Sequence, residues 1–138
     1  MTPREVFDRM QRQWLDLDGD GLGALLAPDA VVELPFAGPG RPGRFEGRDA
    51  FSAFAGPARA ALPVRFEAVR DIVVHDAADP EVIVVEYVLE GTVTTTGRHA
   101  AAPFIGVLRV RDGRIAHWRE YQDAAAIARA LAPEPAAR

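Results

Sequence analysis

The chain has 138 residues, enough for one domain with a real core, and its 49% apolar and 26% charged residues are an ordinary globular balance. A formal charge of −4 without any basic run argues against a nucleic-acid surface, and zero Cys removes disulfides, thiolate chemistry and Cys-based zinc sites. No apolar run approaches the about 18 residues of a membrane span and no signal peptide is read at the start, so the expectation is a cytoplasmic protein that does not engage membranes.

Thr2-Pro3-Arg4-Glu5 opens a helix, with Thr2 as cap, Pro3 in the first turn and Glu5 completing a capping box. Val6, Phe7, Met10, Trp14 and Leu17 recur at helical spacing and define its inner face. Asp16 to Gly21 resembles the start of a calcium loop, but position twelve is Ala27 where a bidentate Glu is needed. The reading there is a helix–helix turn and a short second helix through Leu22, Leu25 and Leu26, ended before Pro28. Asp29 to Pro35 reads as a strand. Residues 38–43, GPGRPG, match a dinucleotide fingerprint in letters alone, since two prolines interrupt it and no helix follows. Pro35 to Gly47 is read as a loop that could cover a pocket mouth. A third helix from Arg48 to about Ala55 is expected to bury Phe51 and Phe54 and to stop at Gly56-Pro57.

From Val64 the period changes to two. Val64, Phe66, Ala68, Ile72 and Val74 fall on one side of a long strand. Val82 to Leu89 is apolar throughout and should be an interior strand. The last strands flank Asp112-Gly113, a favoured type I′ hairpin pair because both residues must take positive φ. A two-residue turn sets Arg111 opposite Arg114, and an uninterrupted ladder then pairs Val107 with Trp118, Ile105 with Glu120 and Pro103 with Gln122. The opposite face would carry Val110, Leu108, Phe104, Ile115 and Tyr121, an apolar surface that predicts a homodimer. Ala124 to Leu131 forms a short last helix, and the tail from about 132 is expected to fray. Helices followed by long antiparallel strands make an α+β domain spanning residues 1–138.

The order of helix pair, DAVVELPF, Gly/Pro loop, EGRDAF and a long sheet ending DGRIAHWREYQD resembles the NTF2-like superfamily of ketosteroid isomerase and SnoaL-like proteins. That resemblance implies a cone: three N-terminal helices packed on a strongly curved mixed or antiparallel sheet around a pocket. VEYVLEGTVTTTGR and WREYQDAAAIARAL are similar to the PhzA/PhzB-type group, whose acid–base Glu matches Glu120. That group's second functional residue, a His, falls near Phe54. The ketosteroid isomerase residues are absent: Leu34 stands at the base, Pro103 near the protonated Asp, and no Tyr precedes Tyr87. The standard steroid isomerase chemistry is not implied.

Glu120 is the catalytic candidate, because a carboxylate among apolar groups is pushed toward its neutral form and toward useful acid–base pKa values. The expected substrate-binding residues are Trp14, Tyr87, His99, Pro103, Ile105, Val107, Trp118 and Gln122. His75, His99 and His117 are scattered without metal spacing, so neither metal nor cofactor is expected. The reading that follows is a small cofactor-independent enzyme of secondary metabolism. It would act on an apolar or aromatic molecule by cyclisation, isomerisation, dehydration or condensation. The alternative is a non-catalytic binding or accessory protein using the same cone.

Overall fold

A computed structural model describes residues 1–16 and 21–133. Helix α1, Pro3–Leu15, begins as the sequence requires: Thr2 accepts from the Glu5 backbone and Glu5 reaches back, closing the capping box. Its stripe of Val6, Phe7 and Met10 is buried. The core of the calcium-like stretch, residues 17–20 with Leu17, and the tail from 134 lie outside the described residues. The second helix is instead a five-residue 3₁₀ turn, Gly21–Leu25, and strand β1 already starts at Leu26, giving Leu26–Glu33. Five residues cannot complete an α-helix before Pro28, which an irregular stretch of β1 accommodates where its pairing shifts between Leu26 and Val31.

Part of the anticipated loop forms a short strand, β2, Arg44–Glu46. The GPGRPG stretch ahead of it is a turn closed by Leu34 N–H donating to the Gly43 carbonyl at 2.8 Å, and a strand follows it rather than a helix. Helix α2 does not stop at Gly56-Pro57 but runs Arg48–Ala61 with Pro57 inside it. The missing Pro57 N–H leaves a gap on a helix that buries none of its residues completely, where water can serve the freed carbonyl. Accordingly Phe54 remains 37% exposed, resting its ring 4.8 Å from Phe45, while Phe51 packs against the core.

Strands β3 (Val64–Asp76), β4 (Val82–Val93), β5 (His99–Arg111) and β6 (Arg114–Gln122) follow, and α3, Ala124–Leu131, closes the order behind an Asp123 cap. The sheet order is β2-β1-β6-β5-β4-β3, antiparallel except for the parallel β1–β6 pair, so β4 is interior as expected. Two register shifts bend β3, one of them between Arg70 and Val73, where Asp71 takes φ 55. They place Val69 and Val74 against the core and leave Ile72 39% exposed, so the strict alternation fails there. The core gathers Val6, Phe7 and Met10 of α1 with the sheet's concave side, including Val32, Val85, Tyr87, Leu108, Ile115 and Trp118.

The hairpin turn is as predicted, with Asp112 at φ 52, Gly113 at φ 74 and Arg111 opposite Arg114. The ladder beyond it is not. A bulge at Ala116 shifts the register, so Leu108 faces Trp118, Gly106 faces Glu120 and Phe104 faces Gln122. The extra residue puts Ile115 and Trp118 on one side despite their odd spacing, which burial of both demands. The face assigned to a dimer contact is thereby dissolved: Leu108, Val110 and Ile115 are core, while Phe104 and Tyr121 lie on opposite sides.

Candidate active site

The shifted register gathers Tyr87, Phe104, Gly106, Trp118, Glu120 and Gln122 on the concave face, because Tyr87 pairs with Phe104 and Val85 with Gly106. Tyr87 donates its hydroxyl to Glu120 Oε1 at 2.9 Å, and Gln122 Nε2 donates to Oε2 at 3.0 Å. Each carboxylate oxygen therefore has one neutral donor. No Arg or His forms an ion pair with Glu120 among the described residues. Its carboxyl is densely surrounded, and that desolvation raises its pKa against the two hydrogen bonds, which pull the other way. The residue as a whole is half-buried, so the enclosure is tightest at the carboxyl. Burial, together with the Glu120 charge, holds the Tyr87 hydroxyl well above the usual phenol range, so Tyr87 remains a proton donor in the hydrogen bond.

Aromatic rings build the wall. Trp14, on the last turn of α1, stacks on Tyr87 at 5.1 Å and 24°, and Phe104 stacks on Tyr87's ring at 5.5 Å and 8°. Phe7 and Trp118 complete the contacts around Trp14, at 6.0 and 6.1 Å. Trp118 lies across Gly106 so closely that a Cβ there would fall 2.0 Å from its Cη2 atom. Trp14 is held by α2: Arg59 donates to the carbonyls of Gln13 (2.7 Å), Trp14 (3.3 Å) and Asp16 (2.6 Å), satisfying the open C-terminus of α1. Tyr87 and Trp118 are buried and form the floor, whereas Trp14, Phe104, Glu120 and Gln122 keep partial exposure and mark the mouth.

Of the residues expected at the site, Glu120, Trp14, Tyr87, Trp118 and Gln122 come together. Pro103, Ile105 and Val107 do not: the bulge turns them to the convex face, and Ile105 is 45% exposed. His99 pairs with Thr92 on that same outer side, 61% exposed and 3.4 Å from Glu90. Sequence reasoning missed Gly106 and Phe104 as site residues. A glycine inside an otherwise bulky strand was a usable signal for close approach. Arg59 gave no comparable signal. No cluster of metal-binding side chains occurs among the described residues. Two surface clefts, of about 650 and 240 Å³, open elsewhere, and neither is lined by Glu120.

Residues 4–118 match the SnoaL-like domain family. The chain belongs to that family. An uncharacterized PhzA/B-like protein of Pseudomonas aeruginosa is 34% identical over 121 residues, 88% of this chain and 84% of its own length. Among solved structures, a candidate isomerase of Bacillus subtilis superposes with a TM-score of 0.83 at 26% identity, covering 94% of this chain and 91% of that one. A candidate polyketide cyclase of Pseudomonas putida, at 21% identity, shares the fold with a TM-score of 0.75 over 96% of this chain and 99% of its own. This SnoaL-like chain thus has the NTF2-like curved sheet expected of it. The family match ends at Trp118, two residues before Glu120, so the carboxylate's role rests on geometry.

Proposed function

We propose that this SnoaL-like protein is a small cofactor-independent enzyme of secondary metabolism, working in the cytoplasm. It takes an apolar or aromatic molecule at the mouth of the concave wall and uses Glu120 to carry a proton in a cyclisation, isomerisation, dehydration or condensation. The carrying observation is a carboxylate desolvated among rings, held by two neutral donors and without a cationic partner among the described residues. A raised pKa brings a carboxyl toward the range where it can both take and return a proton. The 26% identical structure named for an isomerase and the PhzA/B-like relative are consistent with this chemistry. The second reading is a non-catalytic binder or accessory protein. It draws support from Tyr87, which is locked as a neutral donor and leaves Glu120 as the one group on this wall suited to proton exchange.

The experiment is a thermal-shift screen against aromatic and polyketide-like compounds, followed by Glu120→Gln on any hit. For an enzyme, the variant loses roughly 10²–10⁴ in rate and retains binding. For a binder, affinity alters modestly and no turnover is present to lose. Ligands that bind without touching the Trp14 emission or the Glu120 resonances would remove the site.

The homodimer is retained as a proposal on a different surface. Val73, Glu86, Ile105 and Tyr121 lie side by side across four strands on the convex face, with Val73 47% and Ile105 45% exposed. A second copy would cover this row. Sedimentation at micromolar concentration should give a dimer that Ile105→Arg dissociates, and a wild-type monomer would contradict it.

A further inference from the structure

Away from Glu120, the cleft of about 650 Å³ opens between β1, Arg44 at the start of β2, and the β5–β6 hairpin. Its charged lining is Arg44, Arg109, Arg111 and Arg114, beside His117, against Asp29 and Asp112. In a chain of formal charge −4, four guanidinium groups line this one cleft against two lining carboxylates.

Most of these guanidiniums are braced from behind by carboxylates that do not line the cleft. Arg44 lies 3.4 Å from Glu33 and 3.2 Å from Glu46, and Arg111 is 3.0 Å from Glu81. Arg109 sits between Asp79 at 2.8 Å and Glu81 at 3.1 Å. His117 Nε2 is 2.6 Å from Glu33 Oε1. Burial pushes the Glu33 carboxyl up, but the His117 hydrogen bond and the Arg119 charge outweigh it, so Glu33 stays ionised and orients both His117 and Arg44. Arg114 has no carboxylate partner among the described residues.

A pre-oriented guanidinium presents parallel N–H donors that match the oxygens of a carboxylate or a phosphate. The volume falls within the roughly 300–1,000 Å³ of small-molecule sites. Arginines contributed by three strands, one of them unpaired, in a cleft of this size are more than a solvated surface requires.

We propose that this cleft is a second ligand site, which binds the phosphate or carboxylate group of a small molecule through Arg44, Arg111 and Arg114. Asp29 and Asp112 restrict it to ligands that carry the oxyanion at one end and leave the rest uncharged or able to donate hydrogen bonds. The site is separate from the Glu120 wall and does not depend on the function proposed there.

The test is a titration of the ¹⁵N-labelled full chain with inorganic phosphate and, separately, with butyrate, each against sodium chloride of equal ionic strength. Saturable shifts confined to residues 27–31, 44 and 109–117 are expected, and the two arms tell which oxyanion is preferred. Arg114→Gln, on the exposed hairpin, and Arg44→Gln should each weaken binding about tenfold, the usual loss for a charged hydrogen bond. Arg41→Gln, on the neighbouring loop, should change nothing. Spectra of each variant establish that it is folded. Shifts that merely follow ionic strength, or saturable binding unaffected by both cleft variants, would overturn the proposal.

Discussion

Gly106→Ala probes the register and the site together. An ideal Cβ at Gly106 would stand 2.0, 2.4 and 2.9 Å from Cη2, Cζ3 and Cζ2 of Trp118. Carbon atoms settle at about 3.5–4.0 Å, so the indole must withdraw by about 1.5 Å. It has little room to do so, because Trp118 is 2% exposed and its neighbours Val32 and Leu108 are 1% and 0% exposed. Overpacking of this kind costs roughly 1–3 kcal/mol. Replacing a strand glycine by alanine returns about 0.5–1 kcal/mol of backbone entropy. The net expectation is a loss of about 1–2 kcal/mol in urea unfolding, with a changed near-UV dichroism. A Trp14→Phe background isolates the Trp118 emission, which should move as the ring is displaced toward the mouth. A neutral Gly106→Ala, within about 0.5 kcal/mol and with unaltered Trp118 emission, would refute the reasoning. The indole would then not lie on Gly106, and the bulge-free ladder setting Ile105 opposite Glu120 would return.

Glu120→Gln should stabilise the protein in a pH-dependent way. A carboxyl whose pKa is raised by folding favours the native state below its unfolded value, and that contribution is lost as pH rises through the folded pKa. The melting-temperature gain of the variant should therefore be small below pH 4.5, grow above it and level off once pH has passed the folded pKa. The plateau is bounded at about 1.4 kcal/mol for every pH unit separating the folded from the unfolded pKa. A gain that shrinks with rising pH would contradict the assigned direction. Tyr87→Phe removes a buried donor to Glu120 and should cost about 1–2 kcal/mol at neutral pH, measured by denaturant unfolding. Arg59→Ala leaves α1 carbonyls without their donor, so a loss of about 1–3 kcal/mol is expected, with a shift in Trp14 emission. Thr2→Ala, which opens the capping box, should cost about 1 kcal/mol and leave both tryptophans undisturbed.

Much of the fold was legible because its signals are local. The α1 capping box, the Asp112-Gly113 turn and the apolar run of β4 each specify their own structure with little help from elsewhere. The failures occur where packing overrides alternation. Ile115 and Trp118 are three apart, so strict period two would set them on opposite faces and could not bury both. A bulge in β6 puts both on one side, and the odd spacing of Val69 and Val74 carried the same message in β3. One inserted residue moved Pro103, Ile105 and Val107 to the outside while leaving Trp118, Glu120 and Gln122 in place, since these lie on the strand that bears the bulge. Glu120, Trp118 and Gln122 therefore keep one side together, while the expected β5 neighbours turn away from it. Tyr87 was placed correctly because β4 carries no bulge against β5. Arg59 reaches α1 across a long sequence separation, and no local pattern announces such a contact.

The central claim is that Glu120 is a proton carrier set by its surroundings, and its own titration tests this most directly. In the full chain labelled with ¹³C at glutamate side chains, the Glu120 carboxyl resonance is assigned by comparison with Glu120→Gln and followed against pH. A midpoint above the ordinary value of 4.5 is expected, displaced further upward in Tyr87→Phe as one donor to the ionised form is lost. A midpoint at or below 4.5, or one that Tyr87→Phe leaves unmoved, would contradict it.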